Sequence, residues 1–301
     1  MLRKALIIGI GTLFGVNNIY ADFATDFQSA VKLYNEQKNV EAQEAFVKLA
    51  GVAPTPKAKA ESMSYAASSL SRQKKYDEAL ALAKKIEVKP ISVNCQMGLM
   101  LEDGKCKELL AAFKDEDIGA WPDYCIHQGY YRRGMAYLNV GDAQDAAKDL
   151  ELAAANAVGT EDVMFQGRTY KGLGSAYQSL KEDQKALDAY RKVSSFTRLN
   201  STWTYIDSVI ASARILSSQG KHDDALSELQ RLAIGKDDSY DRFVILQTRG
   251  DIHEAQGKPE EALRDYNEAV GFKGVPQACI DALNKKIKSL EMKSQSKEKS
   301  K

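Results

Sequence analysis

Paired acids, histidines and cysteines are the residues of this 301-residue chain with chemical potential. Adjacent carboxylates occur at Asp223 and Asp224, Asp237 and Asp238, and Glu260 and Glu261. A catalytic pair needs two carboxyls converging from different elements with their pKa values driven apart. Neighbouring acids at helix starts and loops do something simpler, which is to complement the positive end of a helix dipole. The three histidines, His127, His222 and His253, are not at metal-ligand spacing, and the four cysteines form no C-x-x-C, so no zinc site is expected. His127 lies near Tyr130 and Tyr131, a spacing that matches no catalytic motif, and no nucleophile stands with a base in the sequence. The stretch G-I-G-T-L-F-G (9–15) resembles a dinucleotide loop only superficially, because no strand–helix unit surrounds it. The expectation is a protein without catalytic, cofactor-binding or metal-binding residues.

Composition points the same way. The net charge of +1 builds no field for nucleic acid. Hydrophobic residues at 44% and charged residues at 28%, rich in Ala, Leu, Lys, Glu and Asp, predict a soluble all-α fold. At the N-terminus Arg3 and Lys4 precede an apolar run, Ala5 to Val16, and then N-N-I-Y-A ending at Ala21. The run is shorter than the roughly 20 residues that span a bilayer. It reads as a secretory signal peptide, residues 1–21, cut after Ala21, with an uncleaved anchor as the alternative. That places the mature protein, beginning at Asp22, in the periplasm or outside the cell, with no membrane span.

The elements that must position any site repeat along the chain. A small residue recurs at Ala42, Ala79, Ala146, Ala186, Ala225 and Ala262, with Leu109 in the place of a seventh. Twelve residues before each stand Ala30, Ala67, Met97, Gly134, Gly174, Ala213 and Gly250; four after stand Phe46, Ala83, Phe113, Leu150, Tyr190, Leu229 and Tyr266. Two antiparallel helices approach to about 8 to 10 Å only where small side chains face each other, and a bulky neighbour fills the remaining groove. Between them Gly104, Gly141, Gly220 and Gly257 mark a left-handed turn, whose place is taken by Gln37, Lys74 and Lys181 elsewhere. Asp142, Asp223 and Pro259 start second helices.

This pattern resembles the tetratricopeptide repeat family over about Asp22 to Gly271. The resemblance implies an all-α, right-handed solenoid of about seven antiparallel helix hairpins over 22–274, the third degenerate. Cys279, Ile280, Leu283, Ile287 and Leu290 share one face of a capping helix over 275–292. From Lys293 to 301 the composition predicts a solvated, disordered tail. Repeats of 37 to 40 residues imply longer loops at Pro54 to Lys57, Ala157 to Thr160 and Ile234 to Asp238.

In such a family ligands lie in the concave groove lined by first helices. The expected partner-binding residues are Tyr131, Arg168, Lys171, Gln178, Arg214 and Gln247, a basic and polar centre with acids Asp251 and Glu254 to one side. Only part of the family's carboxylate-clamping set is present. Cys95 and Cys125 each follow a helix-starting proline, Pro90 and Pro122, and stand level on adjacent parallel helices, so they are the expected disulfide in an oxidising compartment. The leading functional reading is a non-catalytic scaffold binding another protein or an extended peptide; the alternatives are a self-assembling structural subunit and, remotely, a helical-repeat enzyme or glycan binder.

Overall fold

The computed structural model describes residues 16–157, 162–196, 203–232 and 239–298, and among these every regular element is helical. The expected leader falls largely outside the described residues, as do the loops at 158–160 and 234–238. The hairpins, in chain order, are α1 (Val16–Asn35) with α2 (Asn39–Gly51), α3 (Pro56–Arg72) with α4 (Tyr76–Lys84), α5 (Lys89–Glu102) with α6 (Cys106–Phe113), and α7 (Asp123–Val140) with α8 (Ala143–Asn156). They continue as α9 (Val163–Ser179) with α10 (Asp183–Ser194), α11 (Trp203–Ser218) with α12 (His222–Leu229), and α13 (Ser239–Ala255) with α14 (Pro259–Ala269). A last helix, α15 (Gln277–Glu298), stands alone. The chain forms two compact units, 1–136 and 137–301.

The seven second-helix markers, Leu109 included, are all fully buried, as are Ala67, Met97 and Ala213 on first helices. The glycines show why a small residue is needed. A Cβ on Gly174 would stand 2.6 Å from the Tyr190 ring, and one on Gly250 would strike Tyr266 in the same way. Each tyrosine ring fills the notch its glycine leaves open. At the hairpin turns Gly104, Gly141, Gly220 and Gly257 have positive φ, and so do Gln37, Lys74 and Lys181, at 61°, 62° and 60°. The turn geometry is therefore held in common, and three non-glycine residues adopt a backbone conformation that disfavours a Cβ.

Local signals explain the helix starts. The Thr55 hydroxyl accepts from the Ala58 amide at 3.0 Å, Asp142 from Asp145 at 3.3 Å and Asp162 from Phe165 at 2.9 Å. Pro90 and Pro259 occupy first-turn positions, where a missing N–H costs nothing.

The third hairpin departs from the pattern and is repaired from outside it. With Met97 and Leu109 at the closest approach, α6 is only 8 residues long. A 3-10 turn at Ile118–Ala120 and the following Trp121 bring two more apolar side chains into the cluster with Met97, Leu109 and Cys125. Gly129 makes room, since a Cβ there would collide with the Trp121 ring.

Two expectations change. Helix α15 runs past the expected end of the capping helix at Met292, to Glu298. Lys, Gln and Glu are good helix formers, and no glycine or proline interrupts K-S-Q-S-K-E. The cysteines Cys95, Cys106, Cys125 and Cys279 all carry free thiols in this structure, so the expected Cys95–Cys125 bond is not formed. Cys95 Sγ lies against the Ser64 carbonyl at 4.0 Å and Cys125 Sγ against that of Pro122 at 3.5 Å. Burial pushes the Cys95 thiol up and the Cys125 thiol up to about 11.

Candidate functional site: the first-helix face

Of the six residues expected to bind a partner, Tyr131 belongs to the first unit and Arg168, Lys171, Gln178, Arg214 and Gln247 to the second. In the second unit the first helices are joined by one polar bridge per step. Lys171 of α9 pairs with Asp207 of α11, and Arg214 Nη2 of α11 donates to Thr248 Oγ1 of α13 at 3.3 Å. Lys286 Nζ of α15 pairs with Asp251 Oδ1 at 2.6 Å and Glu254 Oε2 at 3.3 Å on α13.

These bridges correct the expected electrostatics. Lys171 is not a free cation, because Asp207 on the next repeat neutralises it, and the acids Asp251 and Glu254 are met by Lys286. Burial pulls the Lys286 ammonium down, but the two carboxylates outweigh it and leave its pKa raised. Arg168 and Arg214 remain exposed, with only neutral oxygen partners among the described residues: Arg168 Nε donates to its own helix at Met164 O (3.4 Å), and Arg214 to the Thr248 hydroxyl.

The tyrosines in the glycine notches reach this face with their hydroxyls. Tyr266 Oη donates to Asp251 Oδ1 at 2.7 Å and Glu254 Oε2 at 3.1 Å. Tyr190 Oη donates to Gln178 Oε1 at 3.0 Å and lies 3.2 Å from Ser175 Oγ. Burial raises both phenols' pKa, and the acids raise that of Tyr266 further. Sequence reasoning had placed these rings in the core and missed their polar ends; the signal was a tyrosine sixteen residues after a repeat glycine. Gln247 is half-buried beside Thr248, and Gln178 is exposed.

The first unit fills the corresponding face with its own side chains. Arg72 Nη1 donates to Tyr34 O at 2.6 Å while its guanidinium lies 3.4 Å above the Tyr34 ring. Ser71 Oγ donates to Glu102 Oε2 at 2.6 Å, and Asn94 Nδ2 to Gln128 Oε1 at 2.8 Å. The Arg132 guanidinium donates to the Asn94 carbonyl and is buried over Gly98, where a Cβ would stand 2.8 Å from its Cζ. On the second-helix side of the last hairpin, His253 Nδ1 and Arg249 both bond the buried Asp265, at 2.9 Å and at 3.0 and 2.5 Å. His253 is thus a packing residue satisfied by an acid. Among the described residues no cluster of His, Cys, Asp or Glu has metal-holding geometry.

Residues 208–292 match the tetratricopeptide repeat-like domain family. No curated protein matches the chain in sequence. Among solved structures, a signal-transduction ATPase with numerous domains and a tetratricopeptide repeat sensor from Pyrococcus horikoshii aligns over 90% of this chain at 12% identity and a TM-score of 0.61. The aligned part is 45% of that protein's chain, so this chain spans less than half its length. A tetratricopeptide repeat protein from Parabacteroides merdae aligns over 89% of this chain and 98% of its own, at 15% identity and a TM-score of 0.48. YrrB, a TPR protein with an unusual peptide-binding site, aligns over 69% of this chain and 96% of its own, at 18% identity and a TM-score of 0.47. Residues 208–292 therefore carry a tetratricopeptide repeat-like domain, within a chain whose all-helical hairpin fold is that of tetratricopeptide repeat proteins.

Proposed function

We propose that this protein is a non-catalytic scaffold of the periplasm or cell envelope, delivered by a cleaved leader, that holds an extended segment of another protein on the first-helix face of its second unit. The observation that carries the reading is the state of that face. Its bridges tie neighbouring helices together, while Arg168 and Gln178 stay exposed beside them and Arg214 is exposed although it donates to Thr248. Pre-organised donors of this kind bind a carboxylate-bearing segment at low ordering cost. Capture of partners from an envelope extract by the mature chain tests it. Arg168→Glu is expected to abolish capture and leave melting unchanged, whereas changing Lys297 and Lys299 near the C-terminus leaves capture intact. The reverse result assigns the partner to the C-terminus instead. A mature protein starting at Asp22, by intact mass, tests the leader.

Self-assembly is the second reading, supported by Val40, Val47 and Val52, which are exposed on or just after α2. Light scattering of Val47→Asp against the parent decides it, since only a self-associating chain becomes smaller.

A further inference from the structure

Among the described residues exposed large apolar side chains are few, and four of them occupy one repeat position. Tyr124, Met164, Trp203 and Tyr240 each stand ten residues before the small residue of their first helix, at its N-terminal end. In the second unit the three are 40%, 44% and 42% exposed. They begin the same stripe that carries the polar bridges: Met164, Arg168, Lys171, Ser175 and Gln178 follow one face of α9 at helical spacing, as do Trp203, Asp207, Ile210, Arg214 and Ser217 on α11. The rings of Trp203 and Tyr240 touch across neighbouring repeats, with centroids 5.7 Å apart, and Tyr240 stacks on the buried Phe243 at 6.4 Å. The rim is therefore held from beneath by the core, and both rings remain more than two-fifths exposed.

We propose that this rim is an anchoring site for a partner segment in which an aromatic or aliphatic side chain sits a few residues from an acid. The inference rests on the scaffold reading above and specifies the chemistry of the segment. Trp203 and Tyr240 supply a rigid apolar platform with polar tips, the composition that dominates interface energetics. Arg168 lies one turn further along the stripe on the adjacent helix. Among the described residues it has no carboxylate partner, whereas the nearby Lys171 is already neutralised by Asp207. A diagonal of about 10 Å, from one helical turn and one interhelical step, is covered by roughly three residues of extended chain. The occupant is thus a short acidic-apolar segment and not a second copy of this chain. Three half-exposed side chains offer far less than the roughly 800 Å² per partner that a stable protein interface buries.

Selection from a display library of random short peptides tests the proposal on the mature chain. Peptides selected by the parent protein are expected to carry an aromatic or aliphatic residue with Asp or Glu two to four positions away. Selection on Arg168→Glu should exchange the acid for Lys or Arg, and selection on Trp203→Ala with Tyr240→Ala should lose the apolar enrichment. A labelled copy of the best parent-selected peptide should bind each variant about tenfold or more weakly, the scale of losing one central contact. Helical circular dichroism and melting confirm that the variants are folded; Arg168 is exposed, so its arm stands even where the ring variant is destabilised. Unchanged affinity on the ring variant, an acid preference that survives Arg168→Glu, or no enrichment on the parent overturns the inference. If binding falls on Arg214→Glu and on neither rim variant, the face is used but the rim is not; if it falls on none of the three, both readings fail.

Discussion

Two repeat glycines in this fold are places kept for a tyrosine. Where Gly174 and Gly250 stand, Tyr190 and Tyr266 lie on them and carry a hydroxyl through to the first-helix face; where the repeat has Ala213, the residue sixteen on is Leu229. Adding a methyl overpacks such a contact, which typically costs about 1 to 3 kcal/mol. Gly250→Ala is expected to lower the urea midpoint, and Tyr266→Leu in the same chain to restore part of it, giving a non-additive cycle. Additive losses would mean that the two do not share one space. The left-handed turns make the opposite prediction. Gln37, Lys74 and Lys181 hold φ near 60°, where a Cβ costs about 1 to 2 kcal/mol and glycine costs about 0.5 to 1 in chain entropy. Each substitution to glycine should therefore raise stability by a few tenths to about 1 kcal/mol, and the triple substitution should raise the melting temperature measurably. This register was legible in the sequence because the small residue, the turn and the bulky residue all fall within one hairpin. Asp207 was not, since its partner Lys171 is 36 residues away on another repeat, and pairing across repeats depends on how helices stack.

Helices are satisfied at this scale by their neighbours, and the end of the stack shows what happens when neighbours run out. The apolar face predicted for a capping helix is real: Leu283, Ile287 and Leu290 of α15 pack with Phe243, Leu246, Tyr266 and Val275. Its polar fastening could not be foreseen, because Lys286 meets Asp251 and Glu254 of the preceding hairpin only once α15 docks as though it were another first helix. Leu283→Ala should cost about 2 to 5 kcal/mol, the range for deleting a buried leucine. Lys286→Glu places a third acid beside two others and should raise amide exchange selectively in α15. Protection in α15 equal to that of the parent would show that the ion pairs do not fasten it. The third hairpin teaches the complementary lesson. Its large residues at small positions were visible, but its rescue by Ile118 and Trp121 was not, since those residues lie in the connection and belong to no repeat position.

Across the whole molecule the buried phenols and thiols are displaced from their ordinary titration in one direction, whereas burial pulls the Arg132 guanidinium down. Burial raises the phenols of Tyr34, Tyr65, Tyr190 and Tyr266 and the thiols of Cys95 and Cys125, the last to about 11. Lys286 is raised as well, by its two carboxylates against the effect of burial. These groups are spread over both compact units, so their linkage acts on the chain as a whole. Each favours the protonated form more strongly when folded. The stability it contributes is complete below the unfolded pKa, near 8.5 for Cys and near 10 for Tyr and Lys, and is lost as pH rises through the folded value. Nothing comparable is held in reserve on the acid side by these groups. Urea midpoints measured under reducing conditions should therefore be flat from about pH 6.5 to 8 and fall steadily from about pH 9 upward. Cys125→Ser should reduce the fall between about pH 9 and 11 and leave the higher range, where the tyrosines titrate, unchanged. A midpoint that holds constant to pH 11 would mean that the buried phenols and thiols titrate as freely in the native chain as in the unfolded one, and that the repeat interior is open to hydroxide.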